Sequence, residues 1–274
     1  MNSDKLAEFK RIVWHYYGQH GRHTLPWRLP KSNGLFDPYE IYISEIMLQQ
    51  TQVSRVVPKF EAFIKRFPTV QDLARSSLAE VLNVWSGLGY NRRAKFAREV
   101  AQAIVQEFDG HFPTDIEKLV KLPGIGHNTA AAILTYAFNV PVIFVETNIR
   151  TAFIDYFFEE DQIVHDKELL PLLTTTLDND NPREWYWALM DYGAWLKRTK
   201  GNSTRRSAHY TKQSRFEGSL RQLRSSILKS LLEQDWMRDE ISQVVTDRRL
   251  EEALSSLQND GLIKITSGKI TLAD

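Results

Sequence analysis

Two glycines separated by one residue stand directly before a helical run in the segment KLPGIGHNTAAAI, residues 121–133. Backbone N–H groups at such a helix start can bind a phosphate, and the carbonyl oxygens of a tight hairpin can hold a cation beside it. Two common nucleotide-binding motifs do not fit. A P-loop would have lysine at position 127, where this chain has histidine, and a dinucleotide-binding fingerprint would have a third glycine and a strand before the motif. The segment therefore predicts either a phosphate-binding hairpin or an ordinary corner between helices, in which Gly124 only supplies a positive φ.

A helix is predicted on each side of this hairpin. Thr114 and Glu117 match a capping box, and Ile116 and Leu119 follow with helical spacing. Helical spacing and helix caps continue through nearly every segment up to about residue 216. We therefore expect an all-α fold for this part of the chain.

The pattern changes after about residue 216. One amphipathic helix is predicted from Leu220 to Leu232, and two short helices are predicted over DEISQVV and DRRLEEALSSL. The last residues, GLIKITSGKITLAD, alternate like a β-hairpin that turns at Ser267 and Gly268. Three helices and a two-stranded wing resemble a winged-helix domain, so we predict domains at 1–215 and 216–274.

The composition excludes several classes of protein. With 42% hydrophobic and 25% charged residues, the 274-residue chain is typical of a globular protein of one large or two ordinary domains. It has no cysteine, which excludes disulfides, thiolate zinc sites and cysteine-ligated iron–sulfur clusters. The N-terminal residues are mixed in charge, and no apolar run approaches the roughly 18 residues of a membrane span. We expect a cytoplasmic protein that does not associate with membranes.

The basic residues are unevenly distributed, although the formal net charge is only +1. The segment from Lys197 to Arg224 carries nine basic residues against one acidic residue, Glu217. Aromatic residues are interleaved with these bases, as at Tyr210 and Phe216. This pattern favours either a solvated charged segment or a strip that contacts nucleic-acid phosphates.

Five segments in a fixed order carry a family resemblance. They are LPWR (25–28), PYEIYISEIMLQQTQV (38–53), WSGLGYNRRA (85–94), LPGIG (122–126) and FVETNIR (144–150). In order and spacing they resemble the helix-hairpin-helix (HhH-GPD) DNA glycosylases and, within them, the MutY-like adenine glycosylase branch, over about residues 10–200. The resemblance implies a two-lobed all-α domain, with one lobe at about 28–142 and the other from 1–27 plus 143–215. It also favours DNA binding by the hairpin.

The resemblance implies two catalytic carboxyl groups. Base excision requires a flipped nucleotide, a proton for the departing base and stabilisation of an oxocarbenium-like sugar. Glu45 corresponds to the family's general acid, and the apolar residues around it should raise its pKa. Glu146 stands where the family has an aspartate, which leaves three interpretations: full activity with an adjusted backbone, an altered substrate, or a disabled enzyme. We favour the first two, because the other motif residues are retained.

Asn128 bears on the reaction type and on the substrate. Family members that also cleave the DNA strand carry a lysine here for a Schiff base, which asparagine cannot form. The resemblance therefore implies a monofunctional glycosylase without AP lyase activity. MutY-like enzymes tend to have serine here and thymine-excising relatives tyrosine, so the excised base stays open. Adenine is the first expectation, and thymine or uracil opposite guanine is the second.

The resemblance also assigns DNA contacts. Gln49 and Gln50 correspond to minor-groove residues near the flipped base, and Tyr90 corresponds to an aromatic wedge in the base stack, although exposed turn residues are the simpler alternative. The hairpin is expected to hold a phosphate, with a possible Na or K ion at the carbonyls of Leu122 and Gly124. The remaining expected DNA contacts are Gly126, His127 and Thr129 in the hairpin and Arg198, Arg205 and Arg206 in the basic segment.

Two departures from the family limit these expectations. Lys197 occupies the first cluster-binding cysteine position, and the sequence has no cysteine, so no iron–sulfur cluster is expected. Packing and the basic segment 197–215 should take over its structural role. The C-terminal domain that reads 8-oxoguanine is replaced by the predicted winged helix. With these departures, the resemblance implies a monomeric, nucleoid-associated DNA glycosylase of base excision repair that acts on mispaired or damaged duplex DNA, with no cofactor. The alternative is a catalytically silent DNA-binding protein.

Overall fold

The computed structural model describes residues 3–273, which fold mostly into helices. This confirms the expectation of an all-α protein with a small C-terminal β-hairpin. No helix among the described residues is both long and apolar enough to cross a membrane. The chain forms two compact units. Unit 1 contains the described residues up to Tyr42 together with Pro113–Lys121 and Ile125–Lys212, and unit 2 contains Ile43–Phe112, Leu122–Gly124 and the described residues from Gln213.

Unit 1 is built from helices and two short 3-10 turns, Pro26–Arg28 and Ser203–Arg206. Its helices are α1 (Ser3–His20), the first half of α2 (Pro38–Leu48), α7 (Ile116–Leu119), α8 (His127–Phe138), α9 (Thr147–Phe157), α10 (Asp166–Thr176) and α11 (Pro182–Thr199). The predicted capping box at Thr114 is wrong. Asp115 is the N-cap of α7 instead, and its carboxylate accepts a 2.9 Å hydrogen bond from the backbone N–H of Glu117.

The core of unit 1 is rich in aromatic residues. The Phe9 ring on α1 lies 4.8 Å from the Phe153 ring on α9 and meets Trp185 on α11 edge-on at 6.3 Å. The Phe144 and Tyr186 rings stack at 4.1 Å. Each such pair contributes roughly 0.5–1.5 kcal/mol beyond its area burial, so these contacts fix α9 and α11 against α1.

A buried ion pair anchors the LPWR segment. The Arg28 guanidinium donates two hydrogen bonds, of 2.8 and 2.9 Å, to the carboxylate of Asp191 on α11, which also accepts hydrogen bonds from Arg22. Burial opposes ionisation of Asp191, but the two guanidinium groups hold its pKa below the usual value. The paired charges lock the 22–28 segment onto α11.

Unit 2 begins with the second half of α2 and contains two helical clusters. The first consists of α3 (Val53–Arg66), α4 (Val70–Arg75), α5 (Leu78–Trp85) and α6 (Arg92–Glu107). The second consists of α12 (Leu220–Glu233), α13 (Arg238–Val244), α14 (Leu250–Asn259), β1 (Trp236–Met237), β2 (Ile263–Thr266) and β3 (Lys269–Leu272). The buried residues Phe63, Phe67 and Trp85 form the core of the first cluster.

The predicted winged-helix elements are confirmed in the second cluster. Strands β2 and β3 pair antiparallel, and Ser267 and Gly268, with φ of 51° and 81°, form the connecting turn of the kind that matches strand twist. Strand β1 was not predicted, and it pairs antiparallel with β3. Helix α12 packs on α5, so the C-terminal elements belong to unit 2. The predicted lobe bounds and the predicted domain boundary between residues 215 and 216 come from the sequence pattern and the family resemblance, whereas the two units are defined by contacts in space. The predicted bounds therefore stay predictions.

Candidate active site

Glu45 lies on α2 with its side chain partly exposed, although its sequence neighbours are buried. The flanking side chains of Ile43, Ser44 and Met47 are each fully buried. Helix α2 begins at Pro38, where the backbone N–H of Tyr39 donates to the Asp37 carboxylate at 2.9 Å. The buried residues on either side of Glu45 thus fix the position of the helix, and the Glu45 side chain itself stays partly exposed.

In unit 1, Asn128 is hydrogen-bonded to the backbone carbonyl of the residue that precedes Glu146. The side-chain amide of Asn128 on α8 donates a 3.0 Å hydrogen bond to the carbonyl of Val145. Glu146 follows as the N-cap residue of α9. The structure therefore places Asn128 as an anchor for the turn that carries Glu146, a role compatible with its inability to form a Schiff base.

The groups around Glu146 shift the pKa of its carboxyl group in opposite directions. Burial raises the pKa of its carboxyl group, while the charge of Arg150 and a hydrogen bond from the backbone N–H of Thr147 act to lower it. Arg150 is itself fixed by two 2.7 Å hydrogen bonds to the carboxylate of Asp166. The Arg150–Asp166 pair was not predicted from the sequence, although Arg150 ends the FVETNIR motif. The pair holds the Arg150 guanidinium in the position from which its charge acts on the Glu146 carboxyl group.

In unit 2, the buried Arg93 side chain joins two loops that hold predicted site residues. Its Nη1 donates to the carbonyls of Ile46, Met47 and Gln49 at 2.6, 3.1 and 2.7 Å, at the end of α2. Its Nη2 donates to the carbonyl of Gly89 at 3.1 Å, directly before Tyr90. A cation at the carbonyl end of a helix interacts favourably with those dipoles. Burial nevertheless lowers the pKa of Arg93 to about 10, so its carbonyl acceptors must compensate a costly buried charge.

The two loops place Gln50 and Tyr90 in an unusual backbone conformation. Their φ angles are 55° and 49°, in the left-handed region that non-glycine residues rarely adopt. Backbone strain of this kind costs about 1–3 kcal/mol per residue and is concentrated at functional sites. The Arg93 guanidinium also lies over the Tyr90 ring, 5.3 Å from its centre. Arg93 therefore holds the loops that present Gln49, Gln50 and Tyr90.

A cavity of about 500 Å³ brings several predicted DNA contacts together in unit 2. It is lined by Gln49, Gln50, Tyr90 and Gly124 and by the side chains of Arg221 and Arg224 on α12. The sequence predicted the first four residues as DNA contacts. The two arginines extend the same surface into the C-terminal elements.

The glycine hairpin turns at Gly124, whose φ is 71°. A Cβ atom at this position would lie 2.3 Å from a ring carbon of Phe96, so no side chain fits without displacing that ring. The next helix, α8, begins at His127, where the backbone N–H of Ala130 donates to the Gly126 carbonyl at 3.0 Å. Gly126 and His127 are exposed, which leaves the helix start open to a phosphate.

The other hairpin residues differ in exposure. Leu122 is buried, and Thr129 is partly exposed. Within residues 3–273, no group of three or more histidine, aspartate or glutamate side chains is placed to bind a metal ion. The cation expected at the hairpin would use backbone carbonyls instead, and it stays a prediction.

The basic segment is partly engaged within unit 1. The Arg206 guanidinium donates to the carbonyls of Ile154 and Phe158, each at 3.2 Å, and of Glu159, so it caps the end of α9. Arg198 and Arg205 are exposed. DNA contacts by these arginines stay predictions, and the carbonyl contacts of Arg206 fix the direction of its guanidinium group.

The region where the family carries an iron–sulfur cluster is held by hydrogen bonds in this chain. The Lys197 ammonium donates to the Asn148 side chain at 3.2 Å, and burial lowers its pKa. The Thr204 hydroxyl pairs with that of Thr151 at 2.6 Å, and Ser207 forms a parallel bridge with Val164. With no cysteine in the sequence, these donors do not fit a cluster.

Comparison with known proteins gives three concordant results. Residues 43–173 match the model of the HhH-GPD superfamily base excision DNA repair proteins. An adenine DNA glycosylase of Buchnera aphidicola subsp. Baizongia pistaciae is 40% identical over 69% of this chain and 52% of its own length. An adenine DNA glycosylase of Mycolicibacterium smegmatis is 33% identical over 98% of this chain and 96% of its own length.

A solved structure supports the same fold. A thermostable thymine-DNA glycosylase superposes with a TM-score of 0.60 and 24% identity, over 70% of this chain and 87% of that chain. The chain spans about half the length of the first curated relatives that it matches.

Proposed function

The chain belongs to the HhH-GPD superfamily of base excision DNA repair proteins, in its adenine DNA glycosylase branch, and from this premise we propose that it excises a mispaired or damaged base from duplex DNA. Adenine is the proposed base. The observation that carries the proposal is the position of Arg93, which holds the end of the Glu45 helix and the Tyr90 loop with one buried guanidinium.

We assign the chemical steps to two carboxyl groups. Glu45 donates a proton to the departing base while the bond between that base and the sugar breaks. The Glu146 carboxylate stabilises the positive charge that develops on the sugar, and water then adds to the sugar carbon and loses a proton. The fixed charge of Arg150 favours the ionised form of Glu146 despite its burial.

We propose double-stranded DNA with a mismatch or lesion as the partner and a monomer as the active species. The exposed helix start at Gly126 and His127 would contact the phosphate backbone, and Tyr90 would enter the base stack. Such an enzyme would work in the cytoplasm at the nucleoid.

A panel of duplexes tests the proposed activity. Duplexes with adenine opposite guanine or 8-oxoguanine, with thymine or uracil opposite guanine, and with full pairing are incubated with the protein and then treated with alkali. We expect strand breaks at adenine in the first group. Breaks only at thymine or uracil would favour the second substrate class, and intact strands with retained DNA binding would favour a silent binding protein.

A borohydride experiment tests the proposed lack of lyase activity. Asn128 cannot form a Schiff base, and its amide is engaged with the Val145 carbonyl. We therefore expect no covalent protein–DNA adduct when borohydride is added during base excision. An Asn128→Lys variant supplies the missing amine as the comparison, and efficient trapping of the unaltered protein would contradict the assignment.

A further inference from the structure

The hydroxyl group of Tyr90 is held from the C-terminal part of unit 2. The side chains of Gln213 and Arg221 both donate hydrogen bonds to the Tyr90 Oη. The second guanidinium amine of Arg221 donates to the Ser214 carbonyl at 3.2 Å, which fixes the direction of the fork. These contacts tie a loop that ends at residue 90 to a segment more than a hundred residues later in the chain.

The ring of Tyr90 is held as well as its hydroxyl. The guanidinium carbon of Arg221 lies 4.8 Å from the centre of the Tyr90 ring and 5.4 Å from the centre of the Phe216 ring. Arg93 approaches the Tyr90 ring at 5.3 Å. Both guanidinium groups attract the ring electrostatically, and they limit its rotation.

Holding the Tyr90 side chain in advance reduces the conformational entropy that it loses when it enters the base stack. A tyrosine that enters the base stack must be ordered before it can replace the extruded base, and ordering a free side chain opposes binding. Tyr90 is partly exposed, and its backbone already lies in a strained conformation. A partner that fixes the ring in advance therefore lowers the barrier to base extrusion.

We propose that Arg221, assisted by Gln213, is a positioning residue that orients the Tyr90 wedge, so that the C-terminal elements control base extrusion. This inference rests on the proposed function of the chain as a glycosylase. Arg221 acts through Tyr90 in this scheme, and the same side chain lines the cavity shared with Gln49 and Gln50.

A double-mutant cycle tests the coupling. The variants are Tyr90→Phe, Arg221→Gln and the double variant. The measured quantity is the rate at which the fluorescence of 2-aminopurine, placed at the target position of the DNA, rises at saturating protein concentration. We expect each single change to slow the rise by about 3- to 30-fold and the double variant to match the slower single variant, because both changes remove one interaction. Effects that multiply independently would overturn the proposal.

Arg215→Gln is the matched control. Arg215 is exposed and lies in the same basic segment, so this change removes the same charge without touching Tyr90. It should raise the half-saturating protein concentration and leave the rate at saturation unchanged. If Arg221→Gln behaves in the same way, Arg221 is only a phosphate contact and the proposal is wrong.

Two outcomes need a separate comparison: an Arg221→Gln variant that does not fold, and a protein that extrudes a base without excising it. If Arg221→Gln does not fold, as judged by its thermal unfolding, Tyr90→Phe still removes the hydroxyl alone, and an unchanged rate at saturation overturns the proposal. The fluorescence signal requires no bond cleavage. Extrusion by a protein that excises no base would contradict the proposed function and leave the positioning role standing.

Discussion

A Glu45→Gln variant should excise its base at least about a hundredfold more slowly than the unaltered protein, and should bind duplex DNA with nearly the same affinity. Positioned general acids contribute about 10²–10⁴-fold to such reactions, and glutamine keeps the size of the side chain but cannot donate the required proton. The side chain of Glu45 is only partly buried, so the change should disturb packing little. Single-turnover excision and equilibrium binding to the same mismatched duplex measure the two quantities.

Glu40 provides the matched control on the same helix. Its carboxylate pairs with the Lys31 ammonium, and it is buried. Glu40→Gln should therefore lower the thermal stability and leave the excision rate of the folded protein close to that of the parent. Near-parental excision by Glu45→Gln would show that another group supplies the proton.

Glu146→Gln should slow excision by roughly three orders of magnitude, because it removes the negative charge that opposes the developing sugar cation. Asn128 and Arg150 should keep the turn in place, since the hydrogen bonds that hold them go to the Val145 carbonyl and the Asp166 carboxylate. Glu146→Asp is the matched variant, because it keeps the charge on a shorter side chain. We expect it to retain activity within about a hundredfold of the parent, the loss that a misplacement of about 1 Å can cause.

The pH dependence offers a second measurement at the same residue. Burial raises the pKa of Glu146 above the ordinary 4.5, and the reaction requires the ionised form. The excision rate should therefore fall on acidification from a higher pH than an ordinary glutamate would give, and Glu146→Gln should lack this limb. A raised carboxyl pKa also means that the folded state loses stability as pH rises through it. At neutral pH, Glu146→Gln should thus unfold at the same or a slightly higher temperature, and a large drop would indicate misfolding.

Helices, the glycine hairpin and the C-terminal wing were predictable because local patterns determine them. The turn at Ser267 and Gly268 and the helix start at His127 follow from residue types that favour those conformations. Strand β1 was missed because two residues are too few for an alternating pattern. The N-cap was misplaced because Thr114 and Asp115 are both good capping residues, and only the backbone geometry decides between them.

The roles of the arginines could not be predicted from local patterns. The guanidinium of Arg93 donates to backbone carbonyls more than forty positions away in the chain. Every residue has a backbone carbonyl, so the sequence cannot show which ones will accept these hydrogen bonds. In NRRA, Arg93 is indistinguishable from a surface base. Arg221 lies in a basic segment that suggested phosphate contacts, whereas the structure directs its guanidinium to Tyr90. Long-range pairing of this kind depends on tertiary packing.

The hydrogen-bonded end of unit 1 has a consequence for how the protein is made in the cell. Lys197, Thr204 and Arg206 fasten this region with side chains that are present as soon as the chain is synthesised. Maturation of this segment needs no delivery of iron or sulfide, and oxidants that destroy metal clusters find no target in it.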